Sequence, residues 1–158
     1  MLASHRNVVL GAALALAGCT KDTPKSVEPV KQAAPVVAAA PKGDSARVEA
    51  PEYVVELNAK VNGGTLVITA KPPLHVNPEY PAAFKPEPGG AKFAGEKIAL
   101  APNVKKPCAA KAEDTCETSS PLAYEGASGT QVAGIVQFSV CEPEKCLIEK
   151  ARVVATVP

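Results

Sequence analysis

The stretch VQFSVCEPEKCLIEKARV, residues 136–153, permits very few backbone arrangements. Apolar and polar side chains alternate on both sides of Glu142-Pro143-Glu144-Lys145, and a cysteine flanks this four-residue segment on each side. Alternation of period two is the mark of a half-buried strand, so the stretch reads as a β-hairpin. Placing Cys141 opposite Cys146 sets Val140 against Leu147, Phe138 against Glu149 and Val136 against Ala151. Successive side chains point to opposite faces of a strand. One face then carries Val136, Phe138, Val140, Leu147, Ala151 and Val153, and must be the core side. The other carries Gln137, Ser139, Lys150, Arg152 and both cysteines, so the cysteines are expected to point away from the core. On the polar face Ile148 alone spoils this pattern. A one-residue slip would send the two cysteines to opposite faces.

Directly opposed residues of an antiparallel pair have Cα atoms about 4.5 or 5.5 Å apart. A disulfide accepts roughly 4.4 to 6.8 Å. The hairpin can therefore hold a Cys141–Cys146 bond, either as a static staple or as an exchangeable dithiol. Exchange needs a thiolate that attacks a disulfide sulfur. Lys145 favours a thiolate at Cys146, whereas Glu142 and Glu144 oppose it, and no histidine or helix amino terminus is evident to lower a thiol pKa strongly. The pair is better suited to being attacked by a partner's activated thiol than to attacking.

The fifth cysteine belongs to a different device. Residues 1–19 read MLASHRNVVLGAALALAGC: a short basic start, an apolar run too short to span a bilayer, then small residues. Leu16-Ala17-Gly18-Cys19 resembles the lipobox of bacterial lipoproteins. That resemblance implies cleavage after residue 18, a lipid on Cys19 and a place in the cell envelope facing the periplasm. Thr20 stands where the inner-membrane retention signal would have aspartate, which favours the outer membrane. Residues 19–50 are expected to be a disordered tether, because prolines at 24, 29, 35 and 41 interrupt any helix. The domain is expected over 51–158. Four cysteines remain in it, an even number that reads as two disulfides in an exported chain. Three connectivities are possible, of which Cys108–Cys116 with Cys141–Cys146 is the simplest.

Within the domain, Tyr53, Val55, Leu57, Ala59 and Val61 alternate up to a turn at Asn62-Gly63-Gly64, and Leu66, Ile68 and Ala70 continue on a second strand. Residues 71–90, KPPLHVNPEYPAAFKPEPGG, form a proline-rich excursion of a length that tends to be functional. His75 at its centre is a candidate proton donor or metal ligand, with a packed, hydrogen-bonded ring as the plainer alternative. Tyr80 reads as a packing anchor. Residues 91–100 suggest another strand, and 101–118 a polar connection in which Cys108 and Cys116 form a structural staple, with a second redox pair or a zinc site as rivals. The spacing lacks C-x-x-C, and no further ligand lies nearby to complete a tetrahedral set. Residues 119–126 make a short strand, and 130–140 with 146–157 the closing hairpin. About seven short strands separated by turns point to an all-β, immunoglobulin-like sandwich. A net charge of +1 gives no reason to expect nucleic acid as a partner. No cofactor motif and no resident metal are expected.

The segment Pro73-Leu74-His75-Val76-Asn77-Pro78-Glu79-Tyr80-Pro81, together with the paired cysteines of the closing hairpin and Leu147-Ile148 after them, resembles the amino-terminal immunoglobulin-like domain of the thiol:disulfide interchange protein DsbD, also grouped as disulfide bond corrector domains. The resemblance covers roughly residues 52–157. It implies a protein-disulfide reductase role in which Cys141 and Cys146 form the redox pair. Electrons would arrive from a thioredoxin-like or DsbD-like periplasmic thiol protein. It also places His75 and Tyr80 near the pair. The chain departs from the best-known members in having one residue fewer between the cysteines, no clear match for the aromatic residues that cap the disulfide, and no membrane or carboxy-terminal thioredoxin domain. The other reading of the residues is a non-catalytic envelope binding module held by two structural disulfides.

Overall fold

The structure, a computed structural model, describes residues 43–158 together with the backbone of Val36–Val37. The expected signal peptide, Cys19 and most of the expected tether lie outside the described residues. The elements in chain order are β1 (Val36–Val37), β2 (Ser45–Glu49), β3 (Tyr53–Lys60), β4 (Gly63–Ala70), β5 (His75–Val76), β6 (Ala83–Pro86), β7 (Ile98–Ala99), β8 (Val104–Pro107), β9 (Thr115–Leu122), β10 (Gln131–Glu142) and β11 (Lys145–Thr156). They form an all-β, immunoglobulin-like sandwich. One sheet has the order β2-β3-β4-β9-β8, and the other runs β1-β11-β10-β6-β7 with β5 also on β10. Every pairing is antiparallel except that of β1, which lies parallel to β11.

Alternation builds both layers. Tyr53, Val55, Leu57 and Ala59 of β3 and Leu66, Ile68 and Ala70 of β4 face inward from one sheet. Val132, Val136, Phe138 and Val140 of β10 and Ala151, Val153 and Ala155 of β11 meet them from the other. The Tyr53 and Phe138 rings cross the interface edge to face, with centroids 4.8 Å apart. Burying a large aromatic side chain is worth roughly 1.5–3 kcal/mol over leaving it exposed, so these two rings are major contributors to holding the layers together.

Several sequence expectations need correction. The ordered domain starts earlier than residue 51, because β2 falls inside the stretch read as tether and buries Ala46 and Val48. Its short period-two pattern was masked by the Pro- and Ala-rich composition around it. The first turn is Val61–Asn62, with Lys60 paired to Gly63. Val61 is therefore exposed instead of continuing the strand, and Asn62 takes the left-handed φ of 55° that asparagine tolerates. There are more strands than seven, because the loop regions contribute short ones. The 71–90 excursion docks twice on one edge of β10, as β5 at Val140–Cys141 and as β6 at Gly134–Gln137. Of residues 91–100, only Ile98–Ala99 is a strand, and the polar connection supplies β8. Cys116 lies within β9, not in a loop.

Candidate functional site: the Cys141–Cys146 disulfide and the strand that covers half of it

The register of the closing hairpin is the one the sequence dictates. Cys141 opposes Cys146, Val140 opposes Leu147, Phe138 opposes Glu149 and Val136 opposes Ala151. The pairing continues to Glu142 opposite Lys145, so the turn is only Pro143–Glu144 and the opposite charges face each other directly. The two sulfurs are bonded, with Cα atoms 4.1 Å apart. Cys108 and Cys116 form the second bond, at a Cα separation of 4.8 Å. The connectivity is thus the local one.

Both cysteines point away from the core among polar neighbours, as expected, but only one of them is open to solvent. Cys146 is exposed, whereas Cys141 is only 4% exposed. The cause is the 71–90 excursion, which runs along the outer face of the hairpin and covers the β10 half of it. His75 opposes Cys141 as a cross-strand neighbour. The Asn77 backbone N–H donates to the Ser139 carbonyl at 2.9 Å, and the Tyr80 hydroxyl accepts from the Gln137 amide. Ser139, nominally on the polar face, is consequently buried. The β11 half, with Cys146, Ile148, Lys150 and Arg152, stays partly or fully open. The disulfide straddles the border between covered and open surface.

Around it lies an open hollow of about 350 Å³. Its walls include His75, Asn77, Glu113, Asp114, Glu142 and both cysteines. The Asn77 side-chain amide donates toward Cys146 Sγ at 3.8 Å while its Oδ1 accepts from the Glu79 N–H at 2.9 Å. This Asx turn, set by the Asn-Pro step, fixes the amide over the exposed sulfur. The Ser139 hydroxyl lies 4.0 Å from Cys141 Sγ. His75 Nδ1 is 3.7 Å from an Asp114 carboxylate oxygen. Asp114 belongs to the loop closed by Cys108–Cys116, and its carbonyl accepts from the Cys108 N–H at 2.8 Å. Cys116 Sγ lies 3.8 Å from the Leu74 carbonyl oxygen. The second disulfide thus ties its loop against the base of the same excursion.

The residues singled out by sequence separate accordingly. Cys141, Cys146 and His75 come together at one site. Tyr80 does not reach the sulfurs. Its hydroxyl meets Gln137, four residues from Cys141 along β10, and Tyr80 helps wall a separate cavity of about 110 Å³ together with Leu100 and Thr118. Lys145 is exposed beside the turn and opposite Glu142. Cys108 and Cys116 adjoin the site without entering the hollow. Asn77 and Asp114 were missed. The Asn-Pro step was a usable signal for the first. The second had none, since Asp114 meets His75 only through the tertiary fold. Among the described residues, no three His, Cys, Asp or Glu side chains are grouped to hold a metal ion.

In comparisons with known proteins, no family model, no curated protein and no solved structure matches this chain.

Proposed function

We propose that this domain is a thiol–disulfide relay whose working bond is Cys141–Cys146, with Cys146 as the sulfur that a partner attacks. The observation that carries the reading is the unequal exposure of the two sulfurs' residues. A partner thiolate must approach a disulfide sulfur to react, and only Cys146 is open to solvent. Attack forms an intermolecular bond to Cys146 Sγ, breaks the Cys141–Cys146 bond and releases Cys141 as a thiolate that takes up a proton. A second thiolate of the partner then attacks the partner's own sulfur in the mixed disulfide and releases Cys146. The partner's dithiol is oxidised and the pair is reduced, and the reverse sequence hands the electrons on.

The surroundings support the passive role in this exchange. Glu142, Glu113 and Asp114 border the hollow, and Lys145 is matched by Glu142 across the hairpin. A thiolate at Cys146 gains little from such neighbours, so the activating groups must come from the partner. A thioredoxin-like thiol protein of the periplasm has that chemistry. On this reading the lipobox cysteine, Cys19, anchors the chain in the envelope, by preference at the outer membrane, and the segment after it lets the domain reach its partner.

Single-cysteine variants test the order of attack. Cys141→Ser leaves Cys146 free and should form a mixed disulfide rapidly with the disulfide form of a thioredoxin-like protein or with oxidised glutathione. Cys146→Ser leaves the buried Cys141 and should react at least about tenfold more slowly, as thiol reactivity follows access. Equal rates would contradict the assignment of Cys146. Failure of both to react, in a folded protein, would favour a stapled binding module.

A further inference from the structure

We infer that His75, faced by Asp114, supplies the proton that Cys141 takes when the disulfide opens. The inference rests on the relay reading above and names the group that completes its chemistry. His75 and Cys141 are directly opposed on β5 and β10. Opposed side chains of an antiparallel pair share a face, with Cβ atoms about 4.5–5.5 Å apart. An imidazole can span that gap to a sulfur. Both residues wall the same hollow, so the imidazole and the bond lie in one shared space. Nδ1 is turned toward the Asp114 carboxylate, 3.7 Å away, which leaves Nε2 as the nitrogen free to serve the sulfur.

The chemistry explains why a proton source belongs on this side of the bond. When a partner thiolate bonds to Cys146, the electron pair of the broken S–S bond stays on Cys141. Cys141 is only 4% exposed, so few bulk waters meet it directly. A thiolate forming there leaves faster if its charge is offset, and an imidazolium on the neighbouring strand that reaches across the pair offsets the charge and then transfers its proton. The products are a mixed disulfide at Cys146, a thiol at Cys141 and a neutral imidazole. In the reverse direction the imidazole takes the proton back as Cys141 attacks the mixed disulfide.

The other charged residues lining the hollow with His75 are carboxylates: Glu113 beside Asp114, Glu142 on β10, which stands opposite Lys145, and Glu79 on its own loop. Glu117 on β9 is occupied by Lys106, and the β4 segment packed behind His75 carries no charged residue. The Cys108–Cys116 bond acquires a purpose in this arrangement, since it closes the loop that holds Asp114 in front of His75.

The experiment is the rate of reduction of Cys141–Cys146 by dithiothreitol from pH 5 to 8.5, divided by the fraction of reductant present as thiolate, for the wild type, His75→Gln and Asp114→Asn. Small-reductant kinetics need no knowledge of the natural partner. In the wild type the corrected rate constant should rise as pH falls across this range. The rise should be on the order of tenfold, below the usual contribution of a positioned acid because a thiolate is already a fair leaving group. His75→Gln should give a flat profile, and Asp114→Asn, at an exposed loop, should lose part of the rise. A His75→Gln profile parallel to the wild type would overturn the inference. So would an Asp114→Asn profile identical to the wild type, which keeps the test decisive if the histidine variant fails to fold. A different failure, in which dithiothreitol does not reduce Cys141–Cys146 ahead of Cys108–Cys116, would remove the relay itself.

Discussion

Glu149 sits where the strand pattern calls for an apolar side chain. It opposes Phe138, faces the interior and is only 6% exposed. Burial raises its pKa above the ordinary carboxyl range, and Glu52 raises it further. The nearby Tyr53 hydroxyl is pushed up to about 12, first by burial and then by Glu149 and Glu52. A carboxyl whose folded-state pKa lies above its unfolded value holds its proton more tightly when folded. Its contribution to stability is fully present below the unfolded value, about 4.3, and is lost as pH rises through the folded one. Glu149→Gln should therefore be more stable than the wild type at pH 7, with the advantage shrinking toward zero near pH 4. Urea melts at the two pH values read this directly, and an advantage equal at both would contradict it. The opposite sign holds for Glu87, whose pKa is lowered by the paired Arg152 guanidinium at 2.6 and 2.7 Å. That pair is partly exposed, so its effect on stability is small. At Gly134 the constraint is steric. A Cβ there would stand 2.3 Å from the Phe84 ring and 2.6 Å from the Lys85 carbonyl oxygen. Gly134→Ala should destabilise by about 1–3 kcal/mol, the usual cost of overpacking a core, measured by thermal or urea unfolding. An unchanged midpoint would mean that β6 can move aside.

At the scale of elements, the hairpin β10–β11 was legible because its signal is local. Alternation fixes the faces, the two cysteines fix the register, and the pairing of Phe138 with the discordant Glu149 follows from both. The burial of Cys141 was not legible. It depends on residues some 65 positions earlier folding back as β5, and no periodicity announces a two-residue strand. The His75 to Tyr80 segment stood out only as a long, proline-rich excursion. Its composition marked it as unusual without showing that Asn77 and His75 would meet the disulfide from opposite ends of one short run. β2 was hidden for the reverse reason, a true alternation inside a composition that reads as linker. The hairpin also carries a stability prediction. Closing a ring from Cys141 to Cys146 restricts the unfolded chain by about 2 kcal/mol in the loop-entropy account. Cys141→Ser/Cys146→Ser should lose close to that amount in urea unfolding and keep the fold, because the apolar face of the hairpin is untouched. A loss far beyond it would mean that the bond is an essential staple and would weigh against a pair that cycles between states.

Across the whole molecule, two layers divide the labour. The sheet β2-β3-β4-β9-β8 and the inner faces of β10 and β11 supply the core, and its aromatic contact between Tyr53 and Phe138 lies on the far side of the hairpin from the sulfurs. The outer face of the hairpin carries the Cys141–Cys146 bond, half covered by the excursion and half open, and is the working face on the relay reading. The all-β class and the two-layer arrangement could be read from short alternating stretches and turn residues. The finer layout could not, because edge strands such as β5, β7 and β8 are defined by what they pair with and not by their own sequences. The separation of core from sulfur chemistry predicts that Cys141–Cys146 can open while the sandwich and the Cys108–Cys116 bond persist. Equilibrating the domain against glutathione and trapping free thiols measures this directly. The relay account predicts a reduction potential for Cys141–Cys146 well above the roughly −300 mV that bounds static disulfides of exported proteins, with Cys108–Cys116 still oxidised. A potential at or below that value, or loss of both bonds together, would contradict it.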